Sequence, residues 1–232
     1  MLRFYFPFVG LLVASTAVQA QHPLQFGVKA GLNASTYQGK ELPDPAYRFG
    51  PSAGLFARWA LRAHLSLQSE LAVEQRGGDI RQQGSYGPPA SGGRFTRAVK
   101  SRLSYVTVPV LARGQWGKML LMAGPQVSYL VGARQRATEL VESPFLSTMP
   151  RPITSTQTGA RSYTRWDVGY VVGVGYALTT HVEVDVRYAA GLRDVGIPGL
   201  EGVGYDSFYV PRLHPTLRNR SVQAQVSYTF GT

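Results

Sequence analysis

The chain has 232 residues, of which 44% are hydrophobic and 11% aromatic, and it contains no cysteine. A disulfide framework is therefore excluded, so hydrogen bonding and packing must stabilise the fold. Twenty-four lysines and arginines against 13 acidic residues give a formal net charge of +11, which favours an anionic partner.

The N-terminal segment is typical of a secretory signal peptide. Arg3 precedes an apolar run at 4–13, and the sequence Val18-Gln19-Ala20 predicts a cleavage site. The run is short for a membrane anchor, which needs about 20 apolar residues. We therefore predict a signal peptide at 1–20 and one domain at 21–232. Because an exported chain rarely meets nucleic acid, we expect the anionic partner to be outer-membrane lipid instead.

Eight later segments alternate apolar and polar residues with a period of two, which is typical of β-strands. In chain order they lie at 26–32, 53–59, 65–73, 102–113, 121–129, 166–176, 182–188 and 222–230. The segment at 102–113 is apolar on both faces in its middle, so its facing stays open. Strands of roughly 10 to 14 residues match tilted membrane strands better than the shorter strands of soluble sheets.

The connections between these segments alternate between short turns and long loops. The turns lie at 61–63, 114–117 and 179–180, and the loops, rich in Gly, Pro, Ser and Arg, lie at 35–47, 77–98, 134–163 and 194–217. This layout is typical of outer-membrane barrels, with turns in the periplasm and loops outside the cell. We predict an all-β fold, an eight-stranded antiparallel up-and-down transmembrane β-barrel in the Gram-negative outer membrane. A soluble periplasmic β protein is the alternative.

Aromatic residues fall near the ends of the predicted strands. Amphipathic rings prefer the membrane–water boundary, so they favour aromatic girdles. Ordinary sheet packing is the alternative, because aromatic residues favour strands in any case. The residues concerned are Trp59, Trp116, Tyr129, Trp166, Tyr188, Tyr228 and Phe230.

The polar face of the strands would line the interior of the barrel. An interior of eight strands is just wide enough for side chains to fill, and an isolated buried charge costs several kcal/mol. We therefore predict a closed lumen of paired charges; a narrow path for protons or ions is the alternative. The predicted charge network is Lys29, Arg58, Glu70, Glu74, Asp167, Glu183, Asp185 and Arg187, with Gln68 and Gln126 beside it.

Arginines are frequent in the predicted loops. Guanidinium groups bind phosphate through two parallel hydrogen bonds and stay charged at biological pH. Two interpretations stay equally open: contacts with lipopolysaccharide phosphates, or a basic loop surface that only keeps the protein soluble. The candidate contacts are Arg94, Arg97, Arg134, Arg136, Arg161, Arg212 and Arg218.

Catalytic and metal-binding motifs are not found in the sequence. The histidines are His22, His64, His181 and His214, and only His214 lies in a predicted extracellular loop. No serine has a G-x-S-x-G signature, and no H-E-x-x-H spacing or phosphate-binding loop occurs. We predict a protein that is not an enzyme and that uses no cofactor or metal.

Six segments, in order, resemble the PorT-like outer-membrane barrels of Bacteroidetes. Residues 27–33 (GVKAGLN) resemble that family's opening GxKxGLN strand. The others are 65–71 (LSLQSEL), 103–111 (LSYVTVPVL), 124–130 (GPQVSYL), 167–176 (DVG and GVGY) and 184–188 (VDVRY), which resemble SLQPELLY, LNYLEIPLLL, GPYVSYLL, DxGxxxGxGY and LEARY.

The resemblance implies an outer-membrane barrel with porin-like or uncharacterised roles, and it supplies no catalytic residues. Some relatives take part in secretion linked to gliding, so secretion-system proteins are possible partners. Barrels of this kind usually end on an aromatic residue that the barrel assembly machinery recognises, whereas Gly231 and Thr232 follow Phe230 here.

Three functional hypotheses follow. The first is a non-enzymatic barrel with a structural or loop-mediated binding role at the cell surface. The second is a component of a secretion or transport assembly. The third, and least favoured, is a lipid-modifying enzyme that uses His214.

Overall fold

A computed structural model describes residues 24–39, 45–86, 93–142, 152–160, 163–196 and 216–230. The predicted signal peptide and His22, Arg161, Arg212 and His214 lie outside the described residues. The strands are β1 (Leu24–Gln38), β2 (Pro45–Ala46), β3 (Arg48–Arg62), β4 (Leu65–Tyr86), β5 (Gly93–Trp116), β6 (Met119–Glu142), β7 (Ile153–Thr158), β8 (Trp166–Ala177), β9 (Val182–Gly191) and β10 (Arg218–Thr229). Among these residues no helix has the length and apolarity that crossing a membrane requires.

Eight of the strands form a closed antiparallel ring. Its order is β4-β3-β1-β10-β9-β8-β6-β5, and the β4–β5 pairing closes it. The first strand pairs with the last from Gly27↔Thr229 to Gln38↔Arg218. Because each strand lies beside its neighbours in sequence, the ring has the up-and-down arrangement, and the predicted fold is confirmed.

The period-two alternation sorts side chains between the two faces of the ring. On β5, Leu103, Tyr105 and Leu111 are fully buried inside, which settles the facing that the sequence left open. The alternate residues Val106, Val108 and Val110 point outward. The outward apolar stretch of β5 runs from Val106 to Trp116. Ten residues of strand span about 33 Å, or about 25 Å of height at the usual tilt, which is the height of the apolar band of membrane barrels.

Three strands continue far beyond this apolar band. β4 has 22 residues, and β5 and β6 have 24 each. The sequence analysis placed loops at 77–98 and 134–163. Strands cover most of the first segment and half of the second, so those loop boundaries are wrong. Outside a membrane the outward positions of a strand need not be apolar, and the alternation that reveals a strand is lost. We call the parts of β4, β5 and β6 beyond the apolar band the extracellular extension. β2 pairs with β4 and β7 pairs with β6, which widens it.

The opposite end of the ring carries the short connections. Ala63 and His64 join β3 to β4, Gly117 and Lys118 join β5 to β6, and residues 178–181 join β8 to β9. Gly117 has a φ of +58°, a conformation that glycine adopts without steric cost. All three connections lie at the end that the sequence analysis assigned to the periplasm.

Candidate functional site

At the turn end of the lumen, one carboxylate lies between two arginines. Arg58 from β3 donates two hydrogen bonds to Glu183 of β9, at 3.1 and 2.8 Å. Arg113 from β5 donates to the same carboxylate at 2.6 Å. Three strands from different sides of the ring therefore meet at Glu183. The Arg58 Nε also donates to Gln68 at 2.9 Å, which joins this layer to the next one.

The middle of the lumen is organised around Glu70 on β4. Its carboxylate accepts two hydrogen bonds from Arg187 of β9, at 2.8 and 2.9 Å, and pairs with Lys29 of β1. Gln68 donates to Glu70 at 2.7 Å, and Arg187 also pairs with Asp185. Because β4 and β9 lie four places apart in either direction around the ring, the Glu70–Arg187 pair spans the lumen.

The third layer lies toward the extracellular side and holds more neutral groups. Arg76 pairs with Glu74 and lies 3.9 Å from Asp167. Gln223 donates to Glu74 at 2.8 Å. Asn219 donates to Asp167 at 3.2 Å. Gln126, which the sequence analysis placed in the interior, is buried as well.

Within the described residues, the lumen ion pairs join five cations to five carboxylates. They are Lys29, Arg58, Arg76, Arg113 and Arg187, and Glu70, Glu74, Asp167, Glu183 and Asp185. The eight charged residues that the alternation assigned to the interior are all among them. The network is neutral in sum, so the whole +11 excess of the chain is carried elsewhere.

Arg76 and Arg113 are the two members of the network that sequence reasoning missed. Arg76 lies just beyond the outward apolar residues of β4, in the part predicted as the edge of a loop. Arg113 lies at the end of the segment whose facing the sequence left open. The signal that could have found them is charge balance, because the eight assigned residues held three cations against five carboxylates.

An apolar cluster fills the barrel above the ion pairs. Tyr163 is held by a hydrogen bond of 2.6 Å from its hydroxyl to Gln135, and burial raises the pKa of Tyr163 to about 12. This cluster, which we call the upper plug, lies in the extracellular half of the lumen. Its members are Tyr37, Ile80, Val99, Leu103, Tyr105, Leu130, Ala133, Tyr163, Val195 and Leu217.

The arginines proposed to contact lipopolysaccharide fall into three groups. Arg94, Arg134, Arg136 and Arg218 are exposed, but they lie on strands rather than in loops. Arg97 departs from the expectation, because its side chain is only 7% exposed. Arg161 and Arg212 lie outside the described residues. The loop prediction failed here for the same reason as above, since the strands of the extension carry no apolar alternation.

The described histidines are not placed for nucleophilic chemistry. His64 lies 3.1 Å from the backbone carbonyl of Gln115, and His181 lies 2.9 Å from the hydroxyl of Thr180. Both are at the short turns. Within the described ranges, no group of three metal-ligating side chains is close enough to hold a metal ion.

Comparisons with solved structures return small outer-membrane proteins. Neisserial surface protein A is 15% identical, with 88% of this chain and 97% of that chain covered and a TM-score of 0.40. Ail of Yersinia pestis, solved with the heparin analogue sucrose octasulfate, is 10% identical, with 89% and 99% covered and a TM-score of 0.42. The outer membrane protease OmpT of Escherichia coli is 11% identical, with 89% and 96% covered and a TM-score of 0.32.

No curated protein sequence matches the chain. A family model described as "Outer membrane protein beta-barrel domain" matches residues 18–196, which is well over half of the chain. The protein therefore belongs to the outer membrane protein β-barrel domain family and lies in the Gram-negative outer membrane.

Proposed function

We propose that the protein is a non-enzymatic surface barrel that conducts neither ions nor solutes and acts through its extracellular face. The observation that carries this proposal is the Glu70–Arg187 pair, which spans the lumen between opposite strands of the ring. The layer below it carries one net positive charge and the layer above it one net negative charge, so the network is neutral in sum, and each of its charges has a partner of opposite sign. The upper plug then separates these layers from the extracellular solution.

The extracellular extension is the part of the protein that is best placed to bind other molecules at the cell surface. The paired parts of β4, β5 and β6 rise above the apolar band as a continuous sheet, with β2 and β7 at its edges. A hydrogen-bonded sheet holds its outward side chains in fixed positions, as binding surfaces on rigid elements require. We assign to this sheet a structural or binding role at the cell surface.

Conductance across planar lipid bilayers tests the closed lumen. The refolded protein should show no unitary current steps, and steady, reproducible steps from the wild-type protein would overturn the proposal. A double variant, Glu70→Ala with Arg187→Ala, serves as a control because it removes the spanning pair and keeps the lumen neutral. Its leak should exceed that of the wild type because the spanning pair is gone, and a heat-dependent shift in gel mobility shows that it has folded.

A second candidate is a role in a secretion or transport assembly. The ordered motifs that resemble PorT-like barrels favour it, since some of those relatives take part in secretion. Such a component needs a stable partner, so a pull-down in mild detergent that returns only the barrel would count against it. A lipid-modifying enzyme is the least favoured candidate, and an unchanged lipid A profile in a His214→Ala strain would remove it.

A further inference from the structure

Two pairs of cations face each other across β5 and β6 on the outer surface of the extension. Lys100 is directly opposite Arg136, and Arg102 is directly opposite Arg134. All four side chains are exposed, while Ser101 and Ala133 beside them are buried. Directly opposite residues on neighbouring strands have Cβ atoms about 4.5–5.5 Å apart. The four charges, which we call the basic ladder, therefore form one compact patch.

The neighbours of the basic ladder do not neutralise it. On the far side of β6, Arg134 and Arg136 are opposite Thr158 and Thr156 of β7. On the far side of β5, Lys100 is opposite Asp79, and that carboxylate already accepts a hydrogen bond of 2.9 Å from Arg48. Within the described residues none of the four cations forms a salt bridge. Like charges directly opposite each other destabilise a sheet, so this arrangement has a cost in folding free energy.

The height of the basic ladder fits the polar headgroups of the outer leaflet. The continuous run of outward apolar residues ends at Val106 on β5 and at Val131 on β6, three or four residues below Arg102 and Arg134. At about 3.3 Å per residue and the usual tilt, this puts the Cα atoms of Arg102 and Arg134 about 8–10 Å above the apolar band. The ladder also faces outward rather than into the lumen.

An aromatic pair marks the upper membrane boundary beside the ladder. The rings of Tyr129 and Trp166 pack with their centroids 4.8 Å apart, and Arg165 donates a hydrogen bond of 3.0 Å to the Tyr129 hydroxyl. Tyrosine and tryptophan are enriched where the bilayer meets water. Arg165 thus adds a further exposed cation at the interface, directly before β8, the strand that follows β6 in the ring.

We propose that the basic ladder binds the phosphate groups of lipopolysaccharide in the surrounding outer leaflet. A lipid is favoured over a soluble anion because the cations face the bilayer at headgroup height. Guanidinium groups on neighbouring strands can each donate two hydrogen bonds to one phosphate, and a phosphate between them offsets their mutual repulsion. This inference rests on the surface role proposed above, and it names the ligand and the residues.

The test compares lipid A binding to the refolded protein in zwitterionic detergent with that of a double variant, Arg102→Gln with Arg134→Gln. A cation near an anionic lipid surface contributes about a five-fold gain in affinity, so this variant should bind about thirty-fold more weakly. The matched control is Arg62→Gln with Lys118→Gln, which removes the same charge at the turn end and should leave the affinity within about two-fold. Loss of affinity by both variants alike would overturn the ladder as the site.

Further binding measurements distinguish lipopolysaccharide from other molecules that carry phosphate. Dephosphorylated lipid A should bind no better than the double variant binds intact lipid A. Equal affinity for phosphatidylglycerol would overturn the choice of lipopolysaccharide, and displacement by millimolar inorganic phosphate would overturn a lipid ligand. Because the variant removes opposed like charges, its free energy of unfolding should not fall, so weaker binding cannot be attributed to misfolding. The conductance test does not involve these residues, and the two proposals therefore fail separately.

Discussion

Replacing Glu70 by glutamine tests the idea that the paired lumen charges hold the barrel together. The Glu70 side chain is fully buried, and it is shared between Lys29 and Arg187, whose side chains are 3% and 2% exposed. Glutamine keeps the size of the side chain and removes its charge. Arg187 then keeps only Asp185, and Lys29 loses the one ion pair that it forms among the described residues. Breaking a buried ion pair from one side costs about 3–5 kcal/mol, so we expect a loss of that size in the free energy of unfolding.

The measurement is a guanidinium titration of the protein folded in lipid vesicles, followed by tryptophan fluorescence. Asp79→Asn is the matched control, because the Arg48–Asp79 pair is partly exposed. Exposed pairs contribute at most about 1 kcal/mol, so the control should stay close to the wild type. Adding Lys29→Met to Glu70→Gln removes one unpaired cation and should restore part of the loss. A Glu70→Gln protein within about 0.5 kcal/mol of the wild type would refute the reasoning.

The remaining predictions concern packing and are measured by the same titration. Leu103→Ala leaves a cavity in the upper plug, where the leucine is fully buried, and should cost about 2–5 kcal/mol; a loss under about 1 kcal/mol would contradict the plug. Gly124→Ala should cost about 1–3 kcal/mol, because its Cβ would lie 1.9 Å from the carbonyl oxygen of Val110. Gly132→Ala on the same strand is its control and should be nearly neutral, since its Cβ would meet only Ser104, at 3.8 Å; equal losses for both glycines would refute the clash.

The ring of strands could be predicted from the sequence because each strand has one face toward the apolar band of the membrane and the other toward the polar lumen. A residue such as Val184 faces the apolar band while Glu183 and Asp185 face the lumen, and the period of two makes that division visible. The position of a charged residue in this alternation shows whether its side chain faces the lumen, even when its partners are not known. The partners themselves could not be predicted, because Arg58 and Glu183 are 125 residues apart and meet only when the ring closes.

The extracellular extension and the basic ladder could not be predicted from the same pattern. Above the apolar band both faces of a strand tolerate polar residues, so the segment from Gly77 to Ala98 carries the composition of a loop while most of it forms a ladder. Arg134 and Arg136 were singled out by residue type alone. Their opposition to Lys100 and Arg102 depends on the register of β5 and β6, and that register shifts at Ser104 and Tyr105, which no local pattern reveals.

The division of charge between the lumen and the surface supports one interpretation of the molecule. If the +11 excess served conduction, cations would line an open interior; instead the lumen network balances, with five charges of each sign. Among the described residues, nine exposed cations lie on the extracellular side, from Arg81 to Arg218, against two at the turn end, Arg62 and Lys118. The exposed surplus therefore lies at the end of the barrel where we propose that lipopolysaccharide binds. Added salt should weaken lipid A binding, because exposed charges are screened beyond about 8–10 Å.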